Sequence, residues 1–327
     1  MLKKIKEKLK RSRLFIKIYS NLPLYFLGKR KIVAITMEVS SVCNLHCVFC
    51  PVGNGRIVRG LMTLENHNKI IDLLPKAIRE LRYSYRGDPT LNKDFVKMIK
   101  YAHSKGFKTL VSTNGMLIGG FIDELVESGL DRIFFAVDGA TQEVQSKYRI
   151  GSDLEKIKNN IKVLVSARDK SAGKFPKEIV LQSVVSRHNE EQIEQLQNMA
   201  HDLNMDKIKF KTIAVNLGGE YIQNKSDQEQ FLPKNKNYWR GGQDILLCPA
   251  LGETVILYNG DISICCSDFN GQYIVGNILE ENSFEKVVFG DKYNKIRRSI
   301  ILKSLPICKD CPITGDYWIS EISKKLR

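Results

Sequence analysis

Glu38-Val-Ser-Ser-Val-Cys43-Asn-Leu-His46-Cys47-Val-Phe49-Cys50 carries three cysteines spaced C-x3-C-x2-C, directly after an apolar, strand-like run. A short loop of this spacing can turn three thiolates to one side. Three thiolates suit a four-iron four-sulfur cluster with one iron left open, because structural zinc sites and closed clusters take four ligands. The same residues also admit buried free thiols, zinc completed by His46, or a disulfide with one thiol over. A disulfide framework is disfavoured in a long chain without a secretory signal. His46 lies between two ligands, where so short a loop makes joint ligation awkward.

Outward from this loop the composition is that of an ordinary globular protein. The 327 residues are 43% hydrophobic and 27% charged, enough for a sizeable core in one large domain or two. The net charge of +15 suggests a nucleic-acid partner until it is located: residues 1–31 hold eleven Lys or Arg against Glu7 alone, which is +10 of the total. The other 296 residues carry about +5, which gives no ground for nucleic-acid binding.

Within residues 1–31, Leu2, Ile5, Leu9, Leu14, Phe15 and Ile18 fall near one helical face, with lysines on the other. That pattern suits a basic amphipathic helix on an anionic membrane surface, or a helix packed on the protein body with its charges in water. The stretch from Leu14 to Leu27 is broken by Lys17, Asn21 and Pro23, so it neither spans a bilayer nor makes a signal peptide. The expected location is cytoplasmic; on the first of these two readings residues 1–31 would also make a peripheral membrane contact.

From Lys31 to Ile213 strand-like and helix-like segments alternate. Strands are expected at 31–39, 81–86, 108–113, 131–137, 178–186 and 207–213, and helices at 64–80, 93–105, 120–129, 153–170 and 190–203. Repeating βα units imply a parallel sheet with helical crossovers, either open and doubly wound or closed towards a barrel. Residues 214–244, with Gly218-Gly219, Pro233 and Gly241-Gly242, lose the rhythm and read as a bridge. From Ile245 short strands and turns follow, with the five remaining cysteines at 248, 265, 266, 308 and 311. The expected division is a basic segment (1–30), an α/β core (31–213), the bridge (214–244) and a small cysteine-rich C-terminal domain (245–327).

The C-x3-C-x2-C spacing, with Phe49 before the last cysteine, resembles the signature of the radical S-adenosylmethionine (radical SAM) enzymes. The resemblance implies a partial (β/α)6 TIM-like barrel, a cluster on Cys43, Cys47 and Cys50, and SAM chelated at the open iron. Ligands of such sheets sit beyond the C-terminal strand ends. There the chain has Gly87-Asp88-Pro89, where the family usually has Gly-Glu-Pro, with Arg86 in place of a small residue. Ser112 stands at the end of strand three with Asn114 just after it, and Asp138 follows strand four, with Ala136 where a serine is common. By resemblance these residues and Phe49 meet SAM, Arg149 pairs with its carboxylate, and Gln182 is a further contact. Taken singly, Gly-Asp-Pro, Asn-Gly and Asp-Gly are turn signals and Arg149 a surface charge.

Gly260-Asp-Ile-Ser-Ile-Cys265 and Cys308-Lys-Asp-Cys311 resemble the C-terminal extension called SPASM and its shorter relative, twitch. No cysteine follows Cys311, so the resemblance implies one auxiliary four-iron four-sulfur cluster, on Cys248, Cys265, Cys308 and Cys311. The same four thiolates would also serve zinc. Adjacent strand residues face opposite ways, so only one of Cys265 and Cys266 should face the site; the resemblance favours Cys265, which leaves Cys266 as the one candidate catalytic thiol.

The implied chemistry begins with an electron from flavodoxin or ferredoxin, cleaves SAM to methionine and a 5′-deoxyadenosyl radical, and abstracts hydrogen from substrate. The auxiliary cluster would conduct an electron, giving oxidation; a thiol would instead return hydrogen, giving epimerisation. The expected substrate is a sugar, aminocyclitol or lipid-linked glycan. A peptide maturase is the alternative, lowered because only about 30 residues precede the first strand. A non-enzymatic iron–sulfur or zinc protein is the second alternative.

Overall fold

Alternation along the strands decides which face of the sheet is packed. β1 (Ala34–Met37), β2 (Glu80–Tyr83), β3 (Lys108–Thr113), β4 (Arg132–Ala136), β5 (Glu178–Val185) and β6 (Lys207–Thr212) pair in parallel, each with the next. The register puts Ile35, Met37, Leu81, Tyr83, Val111, Ile133, Phe135 and Leu181 on one face, each at most 1% exposed. Helices cover that face, among them α1 (Leu64–Leu73), α2 (Phe95–Ser104), α3 (Ile122–Leu125), α4 (Gln142–Tyr148), α5 (Leu154–Lys170) and α6 (Ile193–Asp202). Parallel strands packed on both faces read as continuous apolar runs. Here the second face is polar, with Thr36, Arg82, Ser112, Arg132, Gln182 and Lys209 around a cavity of about 520 Å³. The six parallel strands and the helices between them thus make a partial TIM-like barrel with an interior that is not packed shut.

This computed structural model describes residues 32–53, 55, 57–213, 229–239, 248, 251, 253–309, 311, 319 and 322–327. The amphipathic segment 1–31 and most of the 214–244 bridge lie outside the described residues. Among the described residues no helix is long and apolar enough to cross a membrane.

Among the described residues, the strands of the cysteine-rich region extend the barrel sheet. β7 (Glu253–Ile256) pairs in parallel with β1, on the side opposite β2, and β8 (Asp261–Ser263) and β9 (Ile274–Asn277) continue antiparallel. β10 (Lys324–Lys325) adds antiparallel to β6. One sheet therefore runs β10-β6-β5-β4-β3-β2-β1-β7-β8-β9.

Several boundaries differ from the sequence reading. The helix expected over 64–80 stops at Leu73, because Pro75 drives Leu74 into an extended conformation (φ −77°, ψ 134°). Strand β2 ends at Tyr83 rather than 86, where the chain turns towards Gly87. The 120–129 helix is reduced to a 3₁₀ turn over Ile118–Phe121 and the four residues of α3, consistent with the weak helix preference of Gly119-Gly120. Helix α4 was not anticipated; the Thr141 side chain caps it by accepting from the Val144 N–H.

Candidate active site

The loop that leaves β1 is held from two sides. His46 N–H donates to the Ile150 carbonyl (3.0 Å) and Val48 N–H to that of Tyr148 (3.1 Å). On the other flank Gly87 N–H donates to Ser40 (3.1 Å) and Asp88 N–H to Val42 (2.9 Å). A Cβ at Gly87 would sit 2.4 Å from the Ser40 oxygen and 2.5 Å from that of Val42, so the close approach admits only glycine. His46 turns away from the thiols: its Nδ1 lies 3.0 Å from the Gly53 carbonyl at the surface.

None of the eight cysteines is in a disulfide. Burial pushes the Cys47 thiol up to about 12; Arg149 opposes this, while Cys50 and Cys43 add to it. Cys43 is likewise raised, first by burial and then in part by Asp88 and Cys50. Three thiols that sense one another in a buried loop fit an iron core, whose positive charge would hold them as thiolates.

The residues expected to meet SAM separate into three groups. The first is a network behind the loop. Asp88 accepts from Thr90 N–H (3.0 Å), Thr90 hydroxyl (2.6 Å), Thr113 hydroxyl (3.0 Å) and Asn114 N–H (2.7 Å), and it caps the 3₁₀ turn opened by Pro89. Asn114 Nδ2 donates to Asn44 (2.9 Å) and lies 3.8 Å from Cys43 Sγ. Asp138 and Arg149 form a buried ion pair at 2.7 Å, and Asp138 also accepts from Val184 N–H (2.7 Å). The second group is Phe49, buried edge-on against Phe231 (4.9 Å between centroids) and tilted against Tyr148 (5.9 Å). The third is Ser112 and Gln182, both in the cavity wall.

Sequence reasoning missed the residues that fix these. Gln145 Oε1 accepts from the N–H groups of Asp138 (2.8 Å) and Gly139 (3.0 Å). Asn189 Nδ2 donates to the carbonyls of Asp138 (2.6 Å) and Val184 (2.8 Å). Arg86, a departure from the family pattern, donates to both Glu38 oxygens and to the Phe269 carbonyl, and Tyr85 stacks on the Phe269 ring (5.3 Å, 17°). The barrel is thereby joined to the cysteine-rich region.

In that region burial pushes Cys265 up to about 12, and nearby Cys248 and Cys311 raise it further. Cys308 is raised by burial and then by Cys311. Cys311 is thus within electrostatic reach of both Cys265 and Cys308, and Cys248 of Cys265. Among the described residues no three His, Cys, Asp or Glu converge tightly enough for a single metal ion. A four-iron cube, ligated through separate irons, accepts thiols set wider than one ion does. Cys265 belongs to the apolar core, whereas Cys266 lines the barrel cavity with Tyr85 and Phe269.

A model of the radical SAM superfamily matches residues 37–200, and a model of the SPASM iron–sulfur cluster-binding domain matches residues 248–312. The chain belongs to the radical SAM superfamily. It is a radical SAM enzyme with a SPASM region, and its cofactors are SAM and four-iron four-sulfur clusters. It is 28% identical over 174 residues to the tungsten-containing aldehyde ferredoxin oxidoreductase cofactor-modifying protein of Pyrococcus furiosus, covering 52% of this chain and 48% of that one. It is 23% identical over 279 residues to the mycofactocin maturase MftC of Mycobacterium ulcerans, covering 78% and 74%. Among solved structures, SuiB of Streptococcus suis bound to precursor peptide SuiA superposes with a TM-score of 0.63 at 16% identity, covering 84% of this chain and 69% of that one. The chain spans about half the length, or less, of the first curated relatives it matches.

Proposed function

We propose that this enzyme is a maturase that abstracts hydrogen from a peptide inside the barrel. The observation that carries this reading is the similarity to mycofactocin maturase, which runs over 279 residues and so extends beyond the radical SAM core. The likeness in fold to peptide-bound SuiB supports it. Cys43, Cys47 and Cys50 would hold the cluster that binds SAM, and Cys248, Cys265, Cys308 and Cys311 the auxiliary cluster. Bound there, these groups supply the 5′-deoxyadenosyl radical, with electrons from flavodoxin or ferredoxin. The chain's own residues position and shield. Asp88, Asn114, Asp138 and Arg149 fix the cysteine loop, and Asp88, its carboxylate committed to internal bonds, leaves any contact with an amino group to backbone carbonyls. Ser112 and Gln182 face the reacting space.

The test is deuterium transfer. Cells grown in heavy water are fractionated into peptides and small metabolites, and each fraction is given to the reduced, anaerobic enzyme with SAM. Deuterium in 5′-deoxyadenosine from the peptide fraction supports the proposal. Transfer only from the small-metabolite fraction overturns it in favour of a sugar, aminocyclitol or glycan substrate. Absence of 5′-deoxyadenosine under reduction removes enzymatic SAM cleavage altogether.

One observation favours a second reading, in which the product is an epimer. Cys266 lies in the cavity wall, so its S–H can break as a substrate C–H forms, leaving a sulfur radical that the flavodoxin or ferredoxin re-reduces. Product formed in heavy water would then carry one solvent deuterium, and Cys266→Ala would remove it.

A further inference from the structure

The turns that lead into the strands lie at the end of the barrel opposite the cysteine loop, and charge is unevenly shared among them. Into β4, β5 and β6, residues 126–132, 171–178 and 203–207 bring four cations and four carboxylates, which cancel. Into β2 and β3 the balance breaks. A groove of about 450 Å³ opens there over an apolar floor that includes Ile78 and Phe107, and its rim carries Lys76, Arg79, Lys105 and Lys108 against Asp72. All four cations are exposed. Asp72 is engaged by Lys105 (2.6 Å) and by the Tyr101 hydroxyl (2.7 Å), and among the described residues no carboxylate pairs with Lys76, Arg79 or Lys108. Glu80, the first residue of β2, pairs with Arg82 on the inner face. At the far end of the same two strands, residues 84–94 and 114–121 hold two cations and two carboxylates, so the excess belongs to one end of the barrel.

Helix stability accounts for part of the rim, because a cation favours the negative end of a helix and Lys105 stands just after α2. Arg79 and Lys108 stand where strands begin, and folding asks for no charge there. The same rim receives the N-terminal segment. Arg79 N–H donates to the Val33 carbonyl (3.0 Å) and Lys108 N–H to the Arg79 carbonyl (2.9 Å), so β1 starts beside the groove, with Val33 48% exposed. Residues 1–31 lead into this point, and their sequence carries +10 with Leu2, Ile5, Leu9, Leu14, Phe15 and Ile18 at helical spacing. Like charge disfavours that segment as the occupant of the groove. A nucleic acid would match the cations and leave the apolar residues in water. An anionic bilayer matches both, with phosphate headgroups for the cations and its acyl boundary for the apolar stripe.

We propose that the N-terminal end of the barrel is a docking face for an anionic lipid surface, with Lys76, Arg79, Lys105 and Lys108 set on headgroups beside residues 1–31. The end that carries the cysteine loop then faces water, where a reductant reaches it. This inference is independent of the substrate, whether peptide or small molecule.

Flotation of the full-length holoenzyme with vesicles tests it, using phosphatidylcholine alone or mixed in equal parts with phosphatidylglycerol. The protein should float with the mixed vesicles only, and salt raised from about 0.1 M to about 0.5 M should release it. Replacing Lys76, Arg79 and Lys108 together by Gln should weaken binding about a hundredfold, at about fivefold per charge. Replacing Lys156, Lys162 and Lys292 by Gln removes as much charge from exposed positions elsewhere and should change it far less. Both triple variants should form 5′-deoxyadenosine as the parent does without vesicles, which reports that they fold. Failure of the parent to float with the mixed vesicles, equal weakening by the two triple variants, or binding unaltered by the rim variant would overturn the proposal. Capture of a single-stranded RNA oligomer without vesicle binding would replace the lipid by nucleic acid.

Discussion

Arg86 and Glu38 form a buried, two-pronged ion pair, Nε to Oε1 at 2.5 Å and Nη2 to Oε2 at 2.6 Å, five residues before the first cysteine of the loop. The remaining guanidinium arm donates to the Phe269 carbonyl at 3.1 Å, so one side chain ties the end of β2, the root of the cysteine loop and the SPASM region. Removing the arginine strands a buried carboxylate. Arg86→Ala should destabilise the metal-free protein by about 3 kcal/mol or more, and Glu38→Gln in the same chain should recover part of the loss. Urea unfolding of the two variants measures both effects.

Gly87 is where the loop has least room. Gly87→Ala puts a methyl group against two carbonyl oxygens, so the loop must move; a stability cost of about 1–3 kcal/mol is expected, together with reduced iron at the first cluster. Gly120→Ala is the matched control, because no atom lies within 4 Å of its Cβ position. Iron per chain after anaerobic reconstitution decides; equal loading of the two variants would contradict the packing argument.

Joint replacement of Cys43, Cys47 and Cys50 by alanine should leave about four irons per chain, held by the second cysteine set. Metal analysis of that variant finding zinc, or nothing, would remove the auxiliary cluster.

His67 gives the protein an acid-side sensitivity unrelated to the clusters. Burial lowers its pKa to about 4, while its Nε2 stays 2.9 Å from the Tyr83 hydroxyl. The unfolded chain, titrating near 6.5, takes up the proton first, so stability is complete above that pH and falls as the pH drops towards 4. The loss at pH 5 is expected to be about 2 kcal/mol, from about 1.4 kcal/mol per pH unit over that part of the interval. Urea midpoints at pH 7 and pH 5 should differ accordingly, and His67→Gln should flatten the difference.

Sequence spacing carried the cysteine loop and the parallel βα core, because each depends on residues close in the chain. The same holds for Asn114, Asp138 and Arg149 as neighbours of the loop, since strand ends bring them there. Pro75 and the Gly119-Gly120 pair held legible signals for the shortened helices. So did the lysine alternation of β6, whose charged inner face contradicts the apolar pattern of a packed parallel sheet. Other features left no local trace. Gln145 and Asn189 are ordinary amides until folding sets them against the Asp138 backbone, and Arg86 looked only like a departure from a motif. The pairing of β7 with β1 joins segments whose own patterns say nothing of each other.

That last pairing bears on how the protein is made. Ala34 and its β7 partner Glu253 are 219 residues apart, so the strand that launches the cysteine loop keeps one bare, apolar edge until most of the chain has left the ribosome. Long-range closure of this kind is slow, and an exposed edge recruits neighbouring chains. Maturation should therefore be late and all at once, with the N-terminal iron site gaining a settled scaffold only when residues from beyond the barrel arrive to complete it.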